Sequence, residues 1–288
     1  MSNSKTSLKS SFRLTQITDT HLGARFPEFT ENFHRVSQHI DGNRPDLVIN
    51  SGDVAFDGPD HPDDLDFAKA LHDALPVDCR YLPGNHDIGD NPTIVGVQPK
   101  QRASEANRQN FIATFGEDHW QFDAAGWCFV GLNSLIMNTG LECEGKQREW
   151  LAEQLSAARD KPVALFIHKP LFRDAPGDEE IAATSFRYVP MPARSSLIEM
   201  LGGTNLRLVA CGHVHQRRDV TFGNARHIWA PSTSFVIRSN TKQELIGIKE
   251  TGLVEYVFQP DGFEVRHIRA AGQINLDLFS VLEPSTVT

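Results

Sequence analysis

Seven side chains able to hold a divalent cation stand where short apolar runs give out. "ITDTH" offers Asp19 and His21, "NSGDV" offers Asp53, and "PGNHD" offers Asn85 with His86 and Asp87 beside it; "FIH" ends in His168, and "CGHVH" carries His213 and His215. Carboxylates, imidazoles and an amide oxygen, with no thiolate, suit divalent Mn, Fe or Zn. Seven donors exceed the needs of one ion. They suit two ions about 3.5–4 Å apart that share a bridging carboxylate, an arrangement used for phosphoryl displacement. Asp19 and His21 are two residues apart, as are His213 and His215, and in an extended chain such pairs point to the same side. Gly52, Gly84 and Gly212 sit just before these residues, where the chain must turn sharply or pass close to an ion.

Convergence of these segments requires a scaffold that brings strand ends together. Apolar, β-rich runs recur as "FRLTQIT" (12–18), "DLVINS" (46–51), "CRYLP" (79–83), "CFVGLNS" (128–134), "VALFIH" (163–168) and "LRLVAC" (206–211). Helix-spaced apolar residues lie between them in 29–40, 63–75, 146–159 and 195–203, the last closing on two glycines. Strands alternating with helices predict an α/β fold with buried strands. In such sheets, ligand sites form beyond the carboxyl ends of the strands, so the segments can meet despite their separation in sequence. The run at 128–134 ends only in Asn133 and Ser134, weak donors. After about residue 225 strands alone follow, two of them joined through Pro260-Asp261-Gly262, which predicts a hairpin completing a second sheet. Residues 88–102 and 172–194 read as long loops of the kind that often carry function.

Taken singly, each motif has an ordinary role: a strand-end aspartate is commonly a turn or N-cap residue, and "GNHD" can form an Asx turn. Independent turns would not all supply ligand types. In this order, D-x-H, G-D, G-N-H-D, a strand-end H and G-H-x-H resemble the calcineurin-like metallophosphoesterase superfamily, from Asp19 to His215. "APSTS" (230–234) after "GHVHQ" is similar to bacterial class III cyclic-nucleotide phosphodiesterases and related glycerophosphodiesterases.

The resemblance implies a four-layer α-β-β-α sandwich, two mixed β-sheets flanked by helices. It also implies that Asp19, His21 and His215 bind one ion, that Asn85, His168 and His213 bind the other, and that Asp53 bridges them. His86 would sit over the substrate phosphate and protonate the leaving alkoxide, and Asp87 would position its neighbours. The expected reaction is hydrolysis of a small phosphodiester, such as a cyclic nucleotide or a glycerophosphodiester, by a metal-bridging hydroxide. The chain departs from its relatives at "HKPL", where they often read H-H-P-P, so Lys169 follows His168.

Composition narrows the classes further. The chain has 288 residues, 40% hydrophobic and 23% charged, which is ordinary for a globular protein. A formal charge of −9 opposes an extended grip on nucleic acid, which counts against a nuclease. A phosphomonoesterase and a catalytically silent interaction scaffold are the other readings; no ligand position is missing, which disfavours the scaffold. Cys79, Cys128, Cys143 and Cys211 form no CxxC pair and read as thiols of a reducing compartment. With a polar start and no long apolar stretch, a cytoplasmic protein without membrane contact is expected. A flexible N-terminus (1–11), one domain (12–270) and a tail (271–288) that caps the site or pairs subunits complete the expected organisation. Arg25, Lys169, Arg173 and Arg194 read as solvated charges, one of them available to phosphate. His34, His39, His61, His72, His119, His227 and His267 read as surface or packing residues, with His61 the one near the Asp53 loop.

Overall fold

The computed structural model describes residues 11–91, 101–178, 187–237 and 244–282. Most of the expected flexible N-terminus, parts of both long loops and the last residues of the tail lie outside them.

Side-chain alternation builds the layers. In β5 (Trp127–Leu132) and β6 (Pro162–Ile167), Cys128, Val130, Leu132, Val163, Leu165 and Ile167 pack toward α5 (Glu142–Ala157) and α6 (Ala193–Gly202). Their neighbours Trp127, Phe129, Ala164 and Phe166 point the other way, into contact with Leu14, Ile49, Tyr256 and Phe258. Residues two apart share a face, and burial on both faces explains why these strands read as unbroken apolar runs. The first sheet behaves alike. Val48 of β2 (Leu47–Asn50) packs with Phe33, Val36 and Ile40 of α1 (Pro27–Asn43) and with Leu65 and Ala68 of α2 (Asp63–Asp73), while Ile49 faces the opposite sheet. Three apolar interfaces thus stack helix, sheet, sheet and helix, the four-layer α-β-β-α sandwich.

The first sheet runs β11-β10-β1-β2-β3, from β11 (Gly262–Ile268) and β10 (Leu253–Gln259) through β1 (Phe12–Ile17) and β2 to β3 (Cys79–Tyr81). The second runs β4-β5-β6-β7-β9-β8, with β4 (Trp120–Ala124), β7 (Asn205–Cys211), β8 (Arg218–Phe222) and β9 (Ala225–Trp229). β1, β2 and β3 are parallel, as are β5, β6, β7 and β9, and antiparallel strands close both sheets. Both sheets are therefore mixed, and the strand ends that carry the polar motifs face one edge. Phe129 links the sheets in the middle, stacked on Phe122 at 4.8 Å and edge-on to Phe258 at 4.7 Å. Truncating such a buried ring costs about 3–5 kcal/mol.

Two features differ from the sequence expectation. The β10–β11 hairpin extends the first sheet, with Phe12 opposite Phe258, rather than completing the second; only β9 joins the latter. A helix, α4 (Glu105–Phe115), and the strands β4 and β8 have no clear pattern in the sequence. α4 buries only Phe111 and Phe115, and its start is set by Ser104, whose Oγ accepts the Asn107 N–H at 3.2 Å. Two short helices, α3 (Asn85–Ile88) and α7 (Leu278–Leu282), complete the chain, and no helix among the described residues is long and apolar enough to cross a membrane.

Candidate metal centre

The loops leaving β1 and β2 run side by side: the Asp19 N–H donates to Gly52 O at 2.9 Å and the His21 N–H to Asp53 O at 3.0 Å. The ends of β3, β6 and β7 close around them. Ligand atoms of Asp19, His21, Asp53 and His215 all lie within 4.8 Å of one another, and those of Asp53, His168 and His213 form a second such group. Asp53 belongs to both. Asn85 opens α3 beside them, its amide oxygen buried without a hydrogen-bond partner. The His86 ring centre is 4.6 Å from that of His21, and the two planes are nearly perpendicular. All eight residues singled out in the sequence therefore meet in one place.

They meet by a different geometry from the one the spacing suggests. Asp19, His21, Asp53, His213 and His215 all have positive φ, between 44° and 69°. The paired residues converge because each occupies the left-handed region, not because an extended chain alternates. Non-glycine residues there cost of order 1–3 kcal/mol each and persist where surrounding contacts over-determine them. Close packing does so here. A Cβ on Gly52 (φ +114°) would lie 2.3 Å from His168 Nδ1, and one on Gly84 would lie 2.1 Å from Asp53 Oδ1.

Hydrogen bonds fix which atoms face the centre. His168 Nδ1 donates to Ser51 O at 3.0 Å and His215 Nδ1 to Phe235 O at 3.2 Å, so both Nε2 atoms point inward. His213 is turned the other way, its Nδ1 3.1 Å from His168 Nε2. The Asp87 carboxylate accepts from the N–H groups of Val54 (3.1 Å), Ala55 (2.8 Å) and Gly84 (2.8 Å), locking the Asp53 loop to α3. The "APSTS" run has a similar task. Ser232 and Ser234 both donate to Asp19 O, at 3.0 and 2.9 Å. In the sequence that run marks kinship and gives no hint of this role beyond its cluster of hydroxyls, the one signal that could have found it.

Electrostatics in the centre are those of anions and imidazoles buried together. Burial alone would raise the Asp53 carboxyl, but charge interaction with His168 and His86 and a hydrogen bond from His168 hold it well below the usual carboxylate range. Burial opposes charge on His168, yet Asp53, 3.3 Å away, pushes it up to about 9. His21 goes the other way, lowered first by burial and then by His86. The crowding of His21 Nε2 and His215 Nε2 at 3.2 Å beside the Asp19 and Asp53 carboxylates, and the orphaned Asn85 oxygen, are what a divalent cation would satisfy. The donor set fits such ions.

Comparison with known proteins agrees with this fold. The "Calcineurin-like phosphoesterase" family description matches residues 12–217. The chain belongs to the calcineurin-like phosphoesterase family. Among the relatives of this phosphoesterase, human serine/threonine-protein phosphatase CPPED1 is 27% identical over 192 residues, which is 63% of this chain and 57% of that protein. The chain thus spans little more than half the length of that relative. A probable glycerophosphodiester phosphodiesterase GpdQ of Arcobacter nitrofigilis is 25% identical over 267 residues, 88% of both chains. A dimetal phosphatase from Danio rerio shares the fold, with a TM-score of 0.63 at 14% identity over 90% of this chain and 99% of that one.

Two charges expected to be solvated are buried in this phosphoesterase. Lys169 and Arg194 are both 0% exposed. Lys169 donates to Asp90 and, at 2.8 Å, to Asn91 Oδ1, while the Asn91 amide donates to the carbonyls of Ser134, Leu135 and Met137. The residue after His168 therefore ties the chain beyond α3 to the end of β5. Arg25 instead pairs with Asp64 at 2.8 Å and Arg173 with Glu244 at 2.7 Å.

His72, read as a packing residue, supports both loops from behind. Its Nδ1 donates to Ala68 O at 2.8 Å, so its Nε2 accepts from the Asn50 amide at 3.0 Å. Asn50 in turn donates to Thr20 Oγ1 (3.2 Å) and accepts the Gly52 N–H (3.2 Å), and Thr20 donates to Val54 O (2.9 Å). Burial lowers His72 to about 4, against its bond to Ala68, so the folded chain refuses a proton that the unfolded chain takes below about 6.5. Its contribution to stability is complete above that value and lost as pH falls toward 4. The expected loss is on the order of 3 kcal/mol, since each tenfold difference in proton affinity between the folded and unfolded chain is worth about 1.4 kcal/mol. Denaturant unfolding at pH 7.5 and 4.5 checks this: His72→Gln should lose less stability than the parent between the two. An equal loss would assign the acid sensitivity elsewhere, with His227, also lowered to about 4 by burial, the next group to replace.

Proposed function

We propose that this phosphoesterase hydrolyses small phosphodiesters at a centre of two divalent cations, Mn, Fe or Zn. Asp19, His21 and His215 hold one, Asn85, His168 and His213 hold the other, and Asp53 is shared. The observation that carries the reading is the pair of ligand groups with a single carboxylate in common. Bound there, the cations supply Lewis-acid activation of water and neutralise charge on the phosphoryl oxygens. The chain supplies orientation and the proton. His86 donates its backbone N–H to Asp53 Oδ1 at 2.8 Å and its Nδ1–H to Phe56 O at 2.6 Å. Those two bonds fix the ring against the shared carboxylate and leave Nε2 to protonate the departing alkoxide.

Small diesters are favoured over polymers because a charge of −9 leaves little basic surface for a phosphate backbone. The Arcobacter relative, aligned over 88% of both chains, supports a glycerophosphodiester, and the resemblance to class III enzymes supports a cyclic nucleotide. A phosphomonoesterase is the second reading, favoured by the name of the human relative. Four free cysteines, three of them buried, support a reducing compartment, and we place the protein in the cytoplasm.

The test uses the 288-residue chain loaded with Mn(II) or Zn(II). Turnover of bis(p-nitrophenyl) phosphate should exceed that of p-nitrophenyl phosphate by roughly tenfold or more in kcat/KM. The reverse order would establish the monoester reading, and no turnover of either ester with either metal would remove the enzyme reading altogether.

A further inference from the structure

Among the described residues, the other buried Lys or Arg, Lys169, and the half-buried Arg108 are matched. Lys169 has Asp90 and Asn91, and Arg108 grips the buried Asp118 through Nε at 2.7 Å and Nη2 at 3.0 Å. Arg194 is the exception among the described residues. It is 0% exposed, and its Nε donates to Val189 O at 2.9 Å, but Nη1 and Nη2 are buried with no hydrogen-bond partner. A guanidinium keeps its charge at any physiological pH, and leaving its terminal nitrogens dry and unpaired is costly. Nearby groups offset little of this. The Tyr188 ring centre is 5.9 Å from the guanidinium carbon, and Asp178 acts on Arg194 only through space, its Oδ2 already accepting from Asp174 and Ala175.

The position sharpens the conflict. Arg194 is the second residue of α6, and helix side chains lean toward the N-terminus. Its bond to Val189 shows it folded back over the chain entering the helix. The N-cap residue of α6, Pro192, offers no capping side chain and its first turn has no acidic residue; the Ala193 N–H is met only by the neutral Asn138 Oδ1, at 3.2 Å, so no negative charge balances that end. A buried cation and the positive end of a helix dipole therefore occupy the same dry spot, and each makes the other less favourable until an anion joins them. Burial draws the guanidinium down to about 10, in line with a charge that lacks its counterpart.

We propose that Arg194 and the N-terminus of α6 form a binding site for a small oxyanion, two of whose oxygens take the free Nη1 and Nη2 donors side by side. This fork suits phosphate and carboxylate alike, so the shared chemistry is a pair of anionic oxygens on one atom. The site shares no residue with the metal centre and does not depend on the reading of it. It lies near that centre through one connection: the Val189 N–H donates to Pro170 O at 2.9 Å, and Pro170 is two residues beyond His168.

Calorimetric melting of the 288-residue chain, both metal-loaded and chelated, tests this with phosphate, acetate and chloride at matched ionic strength. At about 100 times Kd, phosphate or acetate should raise Tm by about 5 °C beyond chloride in both forms. The more effective of the two identifies the ligand as a phosphate or a carboxylate. Arg194→Met should abolish the increment and raise Tm in the absence of anion, since it removes an unpaired buried charge. Arg194→Lys, which cannot offer the fork, should weaken binding more than tenfold and serves if the Met variant does not fold. No increment over chloride with either anion, an increment confined to the metal-loaded form, or one that survives in Arg194→Lys at full affinity would each overturn the proposal.

Discussion

Asp53→Asn should empty the metal centre while leaving the fold intact. Asp53 is the one donor common to both ligand groups, and its two oxygens are already divided: Oδ1 accepts the His86 N–H at 2.8 Å, and Oδ2 faces His168 Nε2 at 3.3 Å and His21 Nε2 at 3.7 Å. An amide has the same shape but removes a negative charge and turns one donor atom into an N–H group that cannot ligate. The expected result is a fall from two bound ions to fewer than one per chain, with turnover reduced by on the order of 10³ or more. Metal analysis and kcat on the same sample would check it. Stability separates this outcome from simple damage. In the metal-free parent, burial and then the neighbouring Asp53 charge push the Asp87 carboxyl up to about 7. The amide relieves that repulsion but gives up the charge pairing with His168, so a cooperative melt of the metal-free variant, at whatever temperature, is what marks an intact fold. Full metal occupancy in Asp53→Asn would show that the shared carboxylate is not what holds the ions.

The layers of this fold are legible in the sequence wherever strands are buried on both faces. β5 and β6 read as unbroken apolar runs because Phe129 and Phe166 point into the sheet interface while Val130 and Leu165 point to the helices. Polar residues then have no place within such strands and collect at their ends, which is why Asp19, Asp53, Asn85, His168 and His213 could be picked out. Periodicity fails at the margins. β8 is mostly exposed, and α4 anchors itself through Phe111 and Phe115 alone, so neither imposes a repeat on its residues.

Ligand identity is more legible than ligand geometry. Residue type and order are enough to nominate the donors, but nothing in D-T-H announces that Asp19 and His21 adopt φ of 52° and 44°. That conformation depends on contacts far away in sequence: Gly52 and Asp53 carbonyls on one side, the Ser232 and Ser234 hydroxyls on the other. Lys169 and Arg194 fail for a related reason. Charge predicts exposure on average, and only the folded chain reveals that Lys169 has a carboxylate partner in Asp90 whereas Arg194, among the described residues, has no carboxylate bonded to it.

His86→Ala should separate metal binding from proton transfer. The imidazole of His86 belongs to neither ligand group, and the bond that ties this residue to Asp53 comes from its backbone, which alanine retains. Both ions should therefore stay bound at parental stoichiometry. What disappears is a ring held by Phe56 O on one side with Nε2 open on the other. The size of the loss depends on the leaving group. An alkoxide, as in a glycerophosphodiester, departs poorly without a proton, so turnover should fall by about 10²–10⁴, the usual contribution of a general acid. A nitrophenolate leaves readily on its own, and bis(p-nitrophenyl) phosphate should lose roughly tenfold or less. Comparing the two esters on one variant is thus more informative than either alone. Equal losses would mean that His86 acts on the phosphoryl oxygens of both substrates as an electrostatic partner, and its assignment as the proton donor would have to be withdrawn.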